Sequence, residues 1–303
     1  MATEVIDYAT EQARRGDHIV RGIAADGMVR ALAITARDSV QAVRDHHHTS
    51  PVVTAALGRL LLAGQMMGVM SKNDDELITL SVRGDGPVGR LTVTANNHGQ
   101  AKGFANHPNV WIPPRPDTHL DVGAAVGKGE LSVVFDRPGT VPYSSQVELQ
   151  SGEIGDDLTY YFGVSDQVPT SVGVGVLVAP DGSVRRAGGF ILQMLPGYQE
   201  YVVDDLERNL ADVHSVTDLL EAGMAPRQML EYLLRGMDFE ELEVVPAEFY
   251  CGCNEERAAR AVLALGADEL RDMIAQDETA EVYCHFCGKR HYLAPSELRA
   301  LLG

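Results

Sequence analysis

The sequence predicts an α+β protein built as a large N-terminal sheet-and-helix domain, a helical linker and a small cysteine-bearing C-terminal domain. Three observations carry this. Short segments that alternate apolar and polar residues recur between Gly, Pro and Asn turns through the first two thirds of the chain. Residues 198–248 change to an acidic composition with helical spacing, and all four cysteines lie beyond residue 250.

A chain of 303 residues with 45% apolar and 22% charged residues can bury a substantial core, so disorder is not the default expectation. Lys and Arg number 25 against 43 Asp and Glu, a net charge of -18 that repels phosphate backbones, so nucleic acid is not an expected partner. No run approaches the roughly 18 uninterrupted apolar residues of a membrane span. Met1 to Gly16 lacks the basic start and apolar stretch of a secretory signal, and a cytoplasmic protein with no membrane partner is expected.

Taken in order, Asp17 to Thr35 is apolar but broken by Asp26-Gly27, a pair suited to the positive φ angles of a tight hairpin. Pro51 then opens a helix through Met70, with Val52, Ala55, Ala56, Leu60, Ala63, Met67 and Met70 near helical spacing. Leu77 to Arg83, Val88 to Ala95 and Gln100 to Phe104 read as half-exposed strands of a meander. Further strands are predicted at Leu131 to Phe135, Val141 to Leu149, Val172 to Val178 and Val184 to Leu192, with one amphipathic helix from about Ile154 to Val164. The N-terminal domain is therefore placed at 1–197.

The linker is placed at 198–248. From Tyr198 to Glu248 there are thirteen Asp or Glu, three Arg and no Lys. Its helices carry Val202, Leu206, Leu210 and Val213 on one face, then Val216, Leu219 and Leu220, then Met229, Leu230, Leu233 and Leu234. Short helices are marginal in water, and like charges weaken these further, so they form only if their apolar stripe docks on something. The pattern alone reads as a solvated acidic helical hairpin, and a linker built to melt needs outside support.

The C-terminal domain, 249–303, holds Cys251-Gly-Cys253 and Cys284-His-Phe-Cys287, two close pairs separated by the thirty residues from Asn254 to Tyr283. A zinc ion takes four soft donors in a tetrahedron, and each pair can present two sulfurs from one turn. One zinc per chain is expected on Cys251, Cys253, Cys284 and Cys287. Ala280 to Tyr283 and Arg290 to Leu293 read as strands flanking a zinc knuckle. Asn254 to Leu265, Asp268 to Ala275 and Ser296 to Leu302 read as helices, the last with Pro295 just before it. So few large apolar residues cannot hold a fold of this size, and metal must supply much of its stability. Spacing leaves two roles open: a permanent zinc staple, or a switch in which oxidation of the thiolates ejects the metal. His285 and His291 are alternative donors, His285 reading as a surface residue.

Other motifs fail. Gly84, Gly86 and Gly89 match GxGxxG, yet Pro87 interrupts them and a strand follows, so a hairpin turn is expected. His46, His47 and His48 read as a solvated helix end. No Walker loop, HExxH or GxSxG is present. The chain is not expected to be an enzyme.

The CxC, the thirty-residue gap and the CxxC follow an α+β domain and an acidic helical linker, and in this the chain resembles the heat shock protein 33 family of redox-regulated chaperones. The resemblance extends to Ser151-Gly-Glu-Ile-Gly-Asp-Asp-Leu-Thr-Tyr-Tyr-Phe162, to Gln167-Val-Pro169 followed by Val172-Gly-Val-Gly-Val, and to Gly188-Gly-Phe-Ile-Leu-Gln-Met-Leu-Pro-Gly197. It implies an ATP-independent holdase, inactive while reduced and zinc-bound. It further implies activation under oxidative stress when Cys251 pairs with Cys253 and Cys284 with Cys287, with a homodimer as the active form. Unfolded or partly folded proteins are the implied partners, and Val202, Leu206, Leu210, Leu230 and Leu233 are the client-binding candidates once the linker undocks. The competing readings are a thiol-disulfide oxidoreductase using Cys284 and Cys287, and an RNA-binding zinc module with Lys289, Arg290 and His291, which the net charge opposes.

Overall fold

The structure, a computed structural model, describes residues 16–302 except 72, 74 and 118, so the stretch inspected for a secretory signal lies outside it up to Arg15. The chain divides into two compact units, Met1–Phe249 and Tyr250–Gly303.

The first unit begins with strands β1 (His18–Ala24) and β2 (Val29–Thr35), paired antiparallel. Their turn places Ala25, Asp26 and Gly27 at φ of 50, 53 and 82°, the conformation for which Asp-Gly was read as a hairpin. Helices α1 (Arg37–His47) and α2 (Pro51–Val69) follow. A meander of β3 (Leu77–Gly84), β4 (Arg90–Asn96) and β5 (Gln100–Ala105) comes next, its first turn closed by a Gly84 N–H to Gly89 C=O bond, as a hairpin and not a nucleotide loop requires. The short α3 (Val122–Val126), β6 (Gly129–Asp136) and β7 (Tyr143–Glu148) lead to α4 (Gly155–Tyr161), which continues as a π turn over Phe162–Asp166. Strands β8 (Thr170–Val178) and β9 (Val184–Met194) complete the part read as the N-terminal domain.

Two sheets enclose α2. One has the order β10-β1-β2-β9-β8 and the other β11-β5-β4-β3-β6-β7, where β10 (Glu240–Pro246) and β11 (Glu248–Phe249) come from further along the chain. Every residue of α2 except Pro51 and Arg59 is buried, because the helix packs on strands of both sheets. Glycine permits that grip: a Cβ on Gly58 would lie 2.7 Å from Val40 Cγ1 and 2.9 Å from Val176 Cγ2, and one on Gly64 would lie 2.7 Å from Val93 Cγ1. This helix is long and apolar enough to cross a membrane, but 94% of its apolar window is buried inside the protein, as in a core helix.

The Asp157 carboxylate anchors the Ser151–Phe162 stretch. It is fully buried and accepts the backbone N–H groups of Gln150, Ser151, Gly152 and Ile154 at 2.7 to 3.2 Å, which satisfies a loop that turns through Ile154 at φ 72°. Beside it, Glu153 takes Arg59 and Arg115 together.

The five-stranded sheet is buried on both faces. Leu32, Ile34 and Ile191 face α2, while Val29, Ala31, Ala33, Phe190, Leu192 and Met194 point to the opposite side, following the two-residue alternation of strands. That outer side is covered by α5 (Glu200–Ala211), α6 (Val216–Glu221) and α7 (Pro226–Leu233), which dock the stripe read from the sequence.

Two expectations are corrected here. Residues 198–248 are not helical to their end: Glu240–Pro246 forms β10, antiparallel to β1. Val244 and Val245 favour an extended chain, and the acidic residues sit on an outer strand where water reaches them. The segment therefore extends the first sheet and belongs to the same compact unit as the strands it covers. Phe249, read with the C-terminal domain, instead pairs with Ala101 in the six-stranded sheet, and the unit ends after it.

Candidate metal centre

The second unit is small. Its core is Ala258, Val262, Leu270, Ala280, Leu293 and Leu298, drawn from α8 (Glu255–Leu263), α9 (Ala267–Ala275), the hairpin β12 (Ala280–Tyr283) and β13 (Arg290–Leu293), and α10 (Pro295–Leu302). Burying six such side chains, two of them alanines, supplies only about 10 kcal/mol at most, too little for a fold of this length.

Two backbone devices present the sulfurs. Gly252 sits at φ 63° between Cys251 and Cys253, so the pair can turn back within three residues. Asn254 then caps α8, its side chain accepting the Arg257 N–H at 2.9 Å, which fixes where the loop stops. In the hairpin, Cys284 N–H donates to Lys289 C=O at 2.9 Å and Gly288 N–H to Cys284 C=O at 2.8 Å, with Gly288 at φ 71°. This tight knuckle carries Cys284 and Cys287 on one side.

All four cysteines are partly buried, and their sulfurs lie within 4.8 Å of one another. Between the pairs, the Cys251 and Cys284 sulfurs lie 3.4 Å apart, as do those of Cys253 and Cys287. A tetrahedron of sulfurs at a Zn–S distance of about 2.3 Å has edges of about 3.8 Å, so the observed spread fits a thiolate-bound ion of zinc's size. The all-sulfur donor set selects a soft or borderline metal over calcium or magnesium.

Electrostatics agree with that chemistry. Burial pushes the Cys251 and Cys253 thiols up, so neither ionises readily without a cation. Burial also acts against Cys284, but the Phe286 and Cys287 backbone N–H groups and the neighbouring thiols outweigh it and bring that thiol down. His285 is exposed and stacks edge-on against Tyr283. His291 is buried in β13, outside the sulfur cluster. The triad at His46 to His48 closes α1, where His47 Nε2 meets the Gly103 carbonyl at 3.1 Å.

The client-binding candidates are gathered elsewhere, on the outer face of the five-stranded sheet. Val202, Leu206, Leu230 and Leu233 are buried there and Leu210 is half-buried. Sequence reasoning missed the floor they share with α6: Gly173, Gly175 and Gly188 bring the sheet so close that added Cβ atoms would meet Val216, Thr217 and Leu220. The signal was present as glycines at alternate positions of a strand, which mark close approach.

A double-sheet α+β body under an apolar helical cover, followed by a separate compact unit that gathers four thiols able to hold a metal ion, defines a two-unit class of protein. A model of the Hsp33 protein family matches residues 17–293. The 33 kDa chaperonin of Agathobacter rectalis is 46% identical over 285 residues, covering 94% of this chain and 99% of the relative. That of Lachnoclostridium phytofermentans is 44% identical over 286 residues, covering 94% and 98%. The crystal structure of the 33 kDa chaperonin from Thermotoga maritima superposes with a TM-score of 0.84 at 33% identity, covering 94% of this chain and 97% of that one. The chain belongs to the Hsp33 family and is an Hsp33-type chaperone.

Proposed function

We propose that this chaperone is an ATP-independent holdase held inactive by a zinc-bound, reduced C-terminal unit and activated by oxidation. The observation that carries the reading is the burial of Val202, Leu206, Leu230 and Leu233 on a sheet face that is itself apolar, so that a single undocking event uncovers two client-binding surfaces at once.

Cys251, Cys253, Cys284 and Cys287 are the proposed ligands. When bound, zinc would supply a cross-link that the core of this unit cannot replace, worth about 10–16 kcal/mol in small zinc peptides. Peroxide or hypochlorite takes two electrons from each thiol pair, forming Cys251–Cys253 and Cys284–Cys287 on the family pattern and leaving no thiolate to hold a metal. Residues 250–303 then unfold. Tyr250 follows β11 directly, and the freed chain end loosens β10 and the cover of α5 to α7, so that 198–248 acts as a detachable linker between a chaperone domain at 1–197 and a redox-switch domain. Chemistry at the cysteines is stoichiometric in this scheme, with no turnover. A cytoplasmic location, a homodimeric active state, and a lack of nucleic-acid and membrane partners complete the proposal.

The test is suppression of citrate synthase aggregation. Peroxide-treated, zinc-free protein is expected to suppress it, and reduced zinc-loaded protein is not. Equal behaviour of the two forms would sink the switch.

A further inference from the structure

We propose that Met28, Met224 and Met237, at the seam between the five-stranded sheet and its helical cover, are sites of oxidation to the sulfoxide by hypochlorous acid, and that the sulfoxides hold the cover open. The inference deepens the chaperone reading, on which it rests, by adding an oxidant-sensitive site that uses neither cysteine nor metal.

Five of the chain's ten methionines, Met28, Met194, Met224, Met229 and Met237, belong to the apolar cluster that joins α5, α6 and α7 to the sheet. Their access to solvent differs. Met28 follows the β1 to β2 turn, Met224 lies between α6 and α7, and both are half-buried. Met237 is 5% exposed but lines an open cavity of about 130 Å³ with Ala25 of the hairpin and Val202 of α5. Met229 is fully buried, as is Met66 on α2. A small oxidant therefore meets the first three sulfurs and is shielded from the last two. Met194 lines a different cavity with Arg30 in its wall, where a sulfoxide would have a donor, so it is not counted.

Met237 also sits where the cover returns to the sheet. Its C=O accepts the Ala25 N–H at 2.6 Å and its N–H donates to Leu234 C=O at 3.0 Å, so one residue links the hairpin to the end of α7. A change at its side chain acts on both.

In the oxidation, the thioether sulfur gives up a lone pair, an S–O bond forms and the O–Cl bond breaks. Chlorine leaves as chloride and the proton passes to water, so sulfur loses two electrons and chlorine gains them. Hypochlorous acid is neutral, and the carboxylates of Asp26, Asp205 and Asp238 around the Met237 cavity do not repel it. The product is a polar acceptor. At Met28 and Met224 it lies in an apolar seam, and at Met237 it meets three carboxylates, which only accept, against the single hydroxyl of Tyr201. Water donates freely once the cover lifts, so each sulfoxide favours the undocked state. Dithiols that reduce cysteines leave a sulfoxide in place, because its reversal takes dedicated reductases.

The experiment uses the full-length, zinc-loaded chain, treated with hypochlorite and then with dithiothreitol and zinc until four thiols and one zinc per chain are regained. Peptide mass spectrometry is expected to find sulfoxide at Met28, Met224 and Met237 before Met229 or Met66. Trypsin cleavage after Arg208 and Arg227 should stay about tenfold or more faster than in untreated protein, and should return to the starting rate after sulfoxide reductases of both epimer specificities. The Met28→Leu, Met224→Leu, Met237→Leu triple variant, which conserves apolar volume, should show no residual fast cleavage. Should that variant not fold, repair by the reductases decides on the unmodified chain. Equal early oxidation of Met229 and Met66, cleavage back at the starting rate with the sulfoxides still present, or fast cleavage that the reductases do not reverse would overturn the inference. Aggregation suppression on the same preparations separates the two claims. Suppression by the cysteine-oxidised form without residual opening by sulfoxides removes only the methionine site, and sulfoxide-held opening without suppression in any form removes the holdase reading.

Discussion

Gly175 on β8 lies against the first turn of α6 at Thr217: a Cβ built on the glycine would stand 3.0 Å from Thr217 Cγ2 and 3.3 Å from its backbone nitrogen. Among the described residues the three atoms nearest to that Cβ all belong to α6, so this position reports on the cover.

Gly175→Val should therefore lift α6. Overpacking of this kind costs about 1–3 kcal/mol, all of it charged to the docked state. Limited proteolysis of the reduced protein is expected to cut faster between residues 198 and 237, with more binding of a hydrophobic dye. Unchanged cleavage would mean that the helix is not seated by the glycine floor.

Leu230 and Leu233 are fully buried in the outer cluster, and Leu210 only partly. Leu230→Ala or Leu233→Ala is expected to destabilise the cover by about 2–5 kcal/mol and to give partial chaperone activity without oxidation. Leu210→Ala should do less. Urea midpoints and aggregation assays on the three reduced variants check the order.

Metal removal should act locally. A chelator is expected to abolish exchange protection across residues 250–302 while leaving α2 and the strands around it protected, because the described residues of the second unit include six buried apolar side chains and the first has a core built on both sides of a helix. Uniform loss of protection would contradict this division. Bound zinc should be one per chain, with Cys284→Ser lowering it.

The pairing of the cysteines can be read by mass spectrometry of peptides from peroxide-treated protein. Cys251–Cys253 and Cys284–Cys287 are expected on the family pattern, although in the reduced structure Cys251 also lies 3.4 Å from Cys284 and Cys253 3.4 Å from Cys287. Dominant cross-pairs would show that oxidation captures the reduced geometry and leaves the unit stapled.

Tyr161 is buried beside Ser145, its hydroxyl 3.0 Å from Ser145 Oγ, and burial pushes its pKa up to about 12. The folded state thus resists losing this proton more than the unfolded chain does. Its contribution to stability is whole below pH 10 and is lost as pH rises from 10 towards about 12. Tyr161→Phe should cost about 1 kcal/mol at neutral pH through the lost hydrogen bond and flatten the alkaline decline in urea midpoint. An unchanged slope would assign the decline to another group.

Much of this molecule is local and could be read in order. The Asp26-Gly27 turn, the helix from Pro51, the knuckle strands at Ala280 to Tyr283 and Arg290 to Leu293, and the closeness of four sulfurs all follow from periodicity, backbone preference and ligand spacing. The stripe from Val202 to Leu233 also announced that these helices needed a surface to dock on.

Which surface it was, local pattern could not say. The strands divide between two sheets, β9 lies between β2 and β8, and β10 joins β1 across more than two hundred residues. Each of those pairings depends on partners distant in sequence, and hydrogen bonds along a ladder are alike for any partner, so alternation predicts a strand but not its neighbour. The same limit hid β10, where acidic residues suggested a continuing helix until the free edge of β1 supplied a ladder. By itself the sequence determined that four thiols would meet and that an apolar stripe would be hidden. Only the tertiary structure decided that the stripe hides the back of the first sheet, because burial on both faces is a property of packed layers and not of any one strand.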